Sequence, residues 1–179
     1  PGGLLHKFQC PLDELPRSTT GHITVEDSFT TTNYFYSYHP MDGYSGSGRP
    51  PLIIPHVGGP GSGNQILLSM SGGPFIHLLK EDKFMKYQKR SYFEFADVLL
   101  VDFPSGVGFS ATKSVDVGTY ENMKSHLIKF FLDLADKNSE IDLKNRDIIF
   151  WGVSYGGALS SLLTKELSER GFKIKGLLL

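Results

Sequence analysis

The sequence predicts an α/β fold built on a mostly parallel sheet, and three observations carry that prediction. Short continuous apolar runs (Leu52 to His56, Asp97 to Val101, Ile148 to Trp151 and Ile174 to Leu179) have the length and composition of buried strands. Two longer stretches with apolar residues at helical spacing alternate with the later runs, as crossover helices do. Ahead of them, His22 to Val25 and Thr32 to Tyr38 alternate bulky and small residues around Asp27-Ser28, which predicts an antiparallel hairpin at the N-terminal end.

In chain order, residues 40–51 are rich in Pro, Gly and Ser and read as a loop into the strand Leu52 to His56. A Gly-rich turn follows at once. The strand Asp97 to Val101 exits through Asp102-Phe103-Pro104-Ser105-Gly106, residues that break regular structure. Between Thr119 and Lys137, Met123, Leu127, Phe130, Phe131 and Leu134 mark a helix with Thr119 as N-cap and Glu121 in its first turn. Ala158, Leu159, Leu162, Leu163 and Leu167 mark a second helix, with Arg170-Gly171 as its stop signal. No internal repeat, heptad or charge block occurs.

With 179 residues, 40% hydrophobic and 21% charged, the chain has an ordinary globular composition and one domain is expected. The division expected is an N-terminal extension over 1–20 and a partial α/β domain over 21–179. A net charge of −1 with interspersed signs offers no footprint for nucleic acid and no polybasic membrane patch, and oligomeric state is not legible. No apolar stretch reaches the roughly 20 residues of a membrane span. Cys10 is the single cysteine, no His-Cys-carboxylate spacing forms a metal site, and no cofactor motif is present. Gly59-Pro60-Gly61-Ser62-Gly63 lacks the Gly-Lys-Ser/Thr ending of a phosphate loop. Asp133 and Asp136 read as a solvated helix face.

Chemistry points to Gly152-Val153-Ser154-Tyr155-Gly156-Gly157, which lies between a strand and a helix. A serine hydroxyl is unreactive at neutral pH and needs presentation on a tight strand-to-helix turn with small neighbours. Composition alone would produce Gly-x-Ser-x-Gly in about 0.2 of such chains, so the weight lies in that context. Ser154 is therefore the candidate nucleophile. Acyl transfer also needs donors for the oxyanion, and the turn Gly58-Gly59-Pro60-Gly61 after the strand Leu52 to His56 can supply a backbone N–H from Gly59. The other would be the N–H of Tyr155.

The general base is missing from the reading. Only 25 residues follow Ser154, with no Asp and no His, and His6, His22, His39, His56, His77 and His126 all lie upstream. Each reads as an ordinary surface or core histidine; His56, nearest the oxyanion turn, is the one retained as a candidate.

Taken together, Gly58-Gly59-Pro60-Gly61, the series Asp102-x-Pro104-x-Gly106-x-Gly108-Phe109-Ser110, and Gly152-x-Ser154-Tyr155-Gly156-Gly157 resemble the serine carboxypeptidase family of α/β hydrolases. The likeness runs from about Gly21 through Gly73-Pro74-Phe75 to Lys175-Gly176-Leu177. It implies the N-terminal part of an α/β-hydrolase fold, Ser154 as nucleophile, oxyanion donors at Gly59 and Tyr155, a peptide or ester substrate, and a secretory, lysosomal or vacuolar setting. It also implies that the catalytic Asp and His lie beyond residue 179, so that this chain is an N-terminal portion, inactive alone; poor solubility is expected on separate grounds, because Gly176-Leu177-Leu178-Leu179 would leave an apolar sheet edge uncovered. The sequence departs from the family at Val57 and Val153, where Asn and Glu usually read the substrate's free carboxylate beside Gly58; Ser62 and Trp151 depart as well. Those departures keep open an esterase or acyltransferase, and a non-catalytic binding or scaffold homologue, beside a peptidase. A prolyl aminopeptidase-like reading of His56 to Gly61 is weaker, because Val57 interrupts its motif.

Overall fold

The computed structural model describes residues 17–28, 30–70, 72–78, 83–87, 91–113 and 119–179, with the side chains of 76–78 and 83–87 left aside. Residues 1–16 of the expected extension, with Cys10 and His6, lie outside the described residues, as does the side chain of His77.

The chain opens with β1 (Thr19–Glu26) and β2 (Thr31–His39), an antiparallel pair in the register Thr19↔Tyr38 to Glu26↔Thr31. Asp27 closes its turn, its Oδ1 accepting the Thr30 N–H at 2.8 Å. β3 (Leu52–His56) precedes a small hairpin, β4 (Phe75–Leu78) and β5 (Lys83–Tyr87); then come β6 (Asp97–Val101) and the two-residue β7 (Ala111–Thr112). Helix α1 (Tyr120–Lys137), β8 (Ile148–Gly152), α2 (Tyr155–Ser168) and β9 (Ile174–Leu178) complete the order.

The main sheet runs β1-β2-β6-β3-β8-β9, with β7 on β2. Its first two pairings, β1–β2 and β2–β6, are antiparallel, and β6, β3, β8 and β9 are mutually parallel. This is the fold class read from the sequence. The elements read there reappear within a few residues; β4, β5 and β7 had no sequence signal strong enough to be read.

Both helices lie on one face of the sheet, where Tyr34, Tyr36, Leu52, Ile54, Leu99, Phe150 and Ile148 meet Leu127, Phe130, Phe131 and Leu134 of α1 and Leu159, Leu163 and Leu167 of α2. Alternation along β8 explains the sorting: Ile148, Phe150 and Gly152 are buried, whereas Ile149 and Trp151 point to the other face and are half-buried. That second face is covered by 3-10 turns at Asn64–Leu68 and Tyr92–Glu94, with Leu67 and Phe93 on Val98 and Leu100. Thr119 caps α1 as the sequence predicts, its hydroxyl accepting the Asn122 N–H at 3.4 Å, and Asp133 and Asp136 pair with Lys137 and Lys144 on the solvated side.

At the N-terminal edge of the parallel strands, buried Arg146 meets Asp97 at 2.5 Å, and Tyr38 donates its hydroxyl to the same carboxylate. That pairing locks one end of the sheet. The opposite edge, where β3, β6 and β8 release their chains into loops, is the usual place for a site in a parallel sheet.

Candidate active site

Ser154 follows β8 by two residues and immediately precedes α2. Its backbone sits at φ 58, ψ −129, and it is solvent-exposed. Only one other described non-glycine residue, Asp142, has positive φ. Such a conformation costs an L-residue about 1–3 kcal/mol and persists only where surrounding structure enforces it. Two glycines do the enforcing. A Cβ on Gly152 would stand 2.4 Å from the Gly157 Cα, and one on Gly156 only 2.1 Å from the His56 carbonyl oxygen. The helix therefore starts in backbone contact with β8 and with the end of β3, and the chain must bend sharply at Ser154.

The register brings the second half of the site alongside. β3 and β8 pair from Leu52↔Ile148 to His56↔Gly152, and the Val153 N–H donates to the His56 carbonyl at 2.9 Å. The turn 57–61 thus leaves the sheet beside Ser154. A Cβ added to Gly58 would lie 2.7 Å from the Ser154 Cβ, 2.8 Å from its Oγ and 3.2 Å from the Tyr155 nitrogen. Gly59 holds φ 121, which suits glycine, and the Ser62 N–H closes the turn on the Gly58 carbonyl at 3.3 Å. Among the described residues, neither the Gly59 N–H nor the Tyr155 N–H has a backbone acceptor. The Tyr155 ring packs against the helix-side core, leaving its amide at the bend. Because α2 begins there, the positive end of its dipole also faces Ser154.

Val57 and Val153 flank this arrangement. Val153 is 40% exposed; Val57 is partly buried and packs on the second-face cluster beside Leu68, Tyr92 and Trp151. Trp151 is held edge-on to Tyr92, ring centroids 5.3 Å apart.

His56 is not brought to Ser154. It is buried, its Nδ1 lies 3.1 Å from the Ser160 Oγ, and its ring stacks on Phe150. Burial holds it neutral, with its pKa pushed down to about 4. The candidacy of His56 as base is thereby corrected: the alternation of β3 sends its side chain under α2.

A serine, a histidine and an aspartate are linked elsewhere, away from Ser154. His126 Nε2 lies 2.7 Å from Asp27 Oδ2 and its Nδ1 lies 3.1 Å from the Tyr34 hydroxyl, which in turn meets Ser105 Oγ at 2.7 Å. Tyr34 separates histidine from serine, and Ser105 is buried. This chain of hydrogen bonds ties the hairpin turn, α1 and the 102–110 loop together rather than activating a hydroxyl.

Two further residues organise the site: Asp102, read in the sequence as part of the family motif without a role of its own, and Asn64, which sequence reasoning missed. Asp102, fully buried, accepts the Gln65 N–H at 3.2 Å and the Phe109 N–H at 2.9 Å. Gly108 must be glycine-small there, since its Cβ would fall 2.2 Å from that carboxylate. Asn64, also buried, accepts the Val57 N–H at 2.9 Å and donates to the Val101 carbonyl at 2.5 Å. Its bonds to residues 7 and 37 positions away leave no local pattern. Among the described residues no cluster of His, Cys, Asp or Glu could hold a metal.

Comparison with known proteins adds a lineage. The family model described as serine carboxypeptidase matches residues 11–177. The pheromone-processing carboxypeptidase KEX1 of Chaetomium globosum is 29% identical over 178 residues, 94% of this chain and 26% of that protein; that of Uncinocarpus reesii is 28% identical over 161 residues, 89% of this chain and 24% of its own length. The chain thus spans about a quarter of these relatives. Among solved structures, the prohormone-processing carboxypeptidase Kex1(delta)p of Saccharomyces cerevisiae superposes with a TM-score of 0.76 at 23% identity, over 97% of this chain and 40% of that one. A hydrolase structure from Agrobacterium vitis S4 gives 0.55 at 18% identity, over 90% of this chain and 51% of that one, so these two likenesses speak for the fold.

Proposed function

The chain belongs to the serine carboxypeptidase family, and from that membership we propose that the protein carrying it hydrolyses peptide bonds through an acyl-enzyme on Ser154. The observation supporting this reading is the exposed Ser154 at φ 58 with Gly58 against its Oγ.

In this reading the Ser154 Oγ attacks the scissile carbonyl carbon and passes its proton to a general base. Negative charge gathers on the carbonyl oxygen, where the N–H groups of Gly59 and Tyr155 receive it; donors aimed at that oxygen are worth about 10²–10³ in rate each. Collapse of the tetrahedral species breaks the C–N bond, and the amine leaves with the proton from the base. Water, deprotonated by the same base, then attacks the acyl carbon and frees Ser154. By the family resemblance that base is a histidine held by an aspartate.

A second reading keeps the same bond-making steps for esters or for acyl transfer, and it is favoured by valine at both positions that adjoin Gly58 and Ser154 in the sequence, Val57 partly buried and Val153 exposed. Apolar side chains next to the nucleophile suit an uncharged group better than a carboxylate. Leaving a carboxylate without a hydrogen-bond partner there costs roughly 1–3 kcal/mol. Peptides with free and amidated C-termini, compared with simple esters, separate the two: a preference of tenfold or more for the free acid supports the carboxypeptidase, and one for the ester supports the second reading. The shared mechanism is tested by a fluorophosphonate probe, which should attach to Ser154 in the native protein. A native protein left unmodified at Ser154 would contradict both readings and favour a non-catalytic homologue.

A further inference from the structure

We propose that Asn64 is a positioning residue for the turn that carries the Gly59 N–H, a role that rests on the hydrolase reading above. The register of β3 and β6 supplies the reason. Their pairing covers Leu52↔Asp97 and Ile53↔Val98 and goes no further along the ladder. If that register continued, Val57 would stand opposite Asp102, and a direct parallel-sheet bond would run from the Val57 N–H to the Val101 carbonyl. Those two groups are the ones that Asn64 joins. Its Oδ1 takes the Val57 N–H at 2.9 Å and its Nδ2 gives a hydrogen to the Val101 carbonyl at 2.5 Å. The side-chain amide thus acts as an inserted peptide group, holding the strands apart where the site opens while satisfying both backbone groups.

Only an amide of this reach fits both demands. Aspartate keeps the acceptor but has no hydrogen for Val101, and it would bury a charge where the residue is 2% exposed. Alanine leaves both backbone groups unpaired. Neighbouring contacts make the insertion rigid: the Gln65 N–H is fixed on Asp102, and a Cβ on Gly63 would already meet that carboxylate at 3.2 Å. Val57 in turn leads directly into Gly58, which touches Ser154. A shift of the wedge therefore shifts the oxyanion donor relative to the nucleophile, and misplacement of about 1 Å can cost about 10²-fold in rate.

The test uses the protein that carries this chain, with fluorophosphonate as probe of Ser154 and p-nitrophenyl acetate as substrate. In Asn64→Ala and Asn64→Asp, kcat and the labelling rate should fall about 10- to 100-fold while KM stays within about threefold. Variants that lose thermal stability but keep kcat and labelling within about twofold would show a merely structural residue and overturn the role. Hydrogen exchange on the wild type decides independently of variant folding: a strongly protected Val57 amide supports the wedge, and one exchanging like an exposed loop overturns it. Wild-type protein unlabelled at Ser154 would remove the reaction and the positioning role with it. Labelling at Ser154 with an unprotected Val57 amide would sink the wedge alone.

Discussion

Ser154 occupies a backbone conformation that glycine would adopt more readily, and this gives the residue a measurable signature. Ser154→Gly should abolish labelling while raising stability by about 1 kcal/mol over Ser154→Ala, because the strain at φ 58 is relieved. Thermal unfolding of the two variants checks this, and equal stability would mean that the bend is unstrained. Gly156→Ala should act in the other direction. With 2.1 Å between the new Cβ and the His56 carbonyl oxygen, α2 must lift off β3, at a cost of about 2–3 kcal/mol and the loss of most labelling. At this scale Ser154, Gly152 and Gly156 were legible in the sequence, since the elbow is a local pattern bounded by an apolar strand and a helix. Asn64 was not, because its partners Val57 and Val101 meet only once β3 and β6 lie side by side. His56 misled for a related reason: closeness along the chain to the turn at 57–61 says nothing about which face of β3 a side chain takes.

The elements that position the site are held by burial on one sheet face and by caps. Phe130 on α1 is fully buried and touches Tyr34 and Tyr36 across the sheet, so Phe130→Ala should cost about 3–5 kcal/mol. Thr119→Ala, which removes the N-cap, should cost only about 1 kcal/mol. Chemical denaturation of both variants checks the ranking, and a cap effect as large as the core effect would contradict it. Strands β3, β6 and β8 were readable because strands buried on both faces are continuous apolar runs. β7 could not be read from Ala111-Thr112, whose strand character exists only through pairing with Thr32 and Asn33. The 3-10 turn at Asn64–Leu68 is equally non-local, fixed by Asp102 and Val101 rather than by its own sequence.

For the whole molecule, two buried histidines predict how stability follows pH. His39 and His56 are both held neutral by burial, their pKa values pushed down from 6.5 to about 4. The unfolded chain therefore binds protons between pH 6.5 and 4 that the folded chain refuses. Their contribution is complete above pH 6.5 and is lost progressively toward pH 4, by up to about 2 kcal/mol each at pH 5. Denaturation at pH 7 and pH 5 should show that loss, and His39→Gln should flatten the slope; a slope unchanged by the substitution would contradict the assignment.

A crystal structure of the fluorophosphonate adduct measures directly how near the Ser154 hydroxyl lies to the amides of Gly59 and Tyr155. Phosphorus should be bonded to the Ser154 Oγ, with the phosphonyl oxygen about 2.7–3.1 Å from the nitrogens of Gly59 and Tyr155. An adduct on another residue, or an oxygen turned away from both amides, would contradict that arrangement.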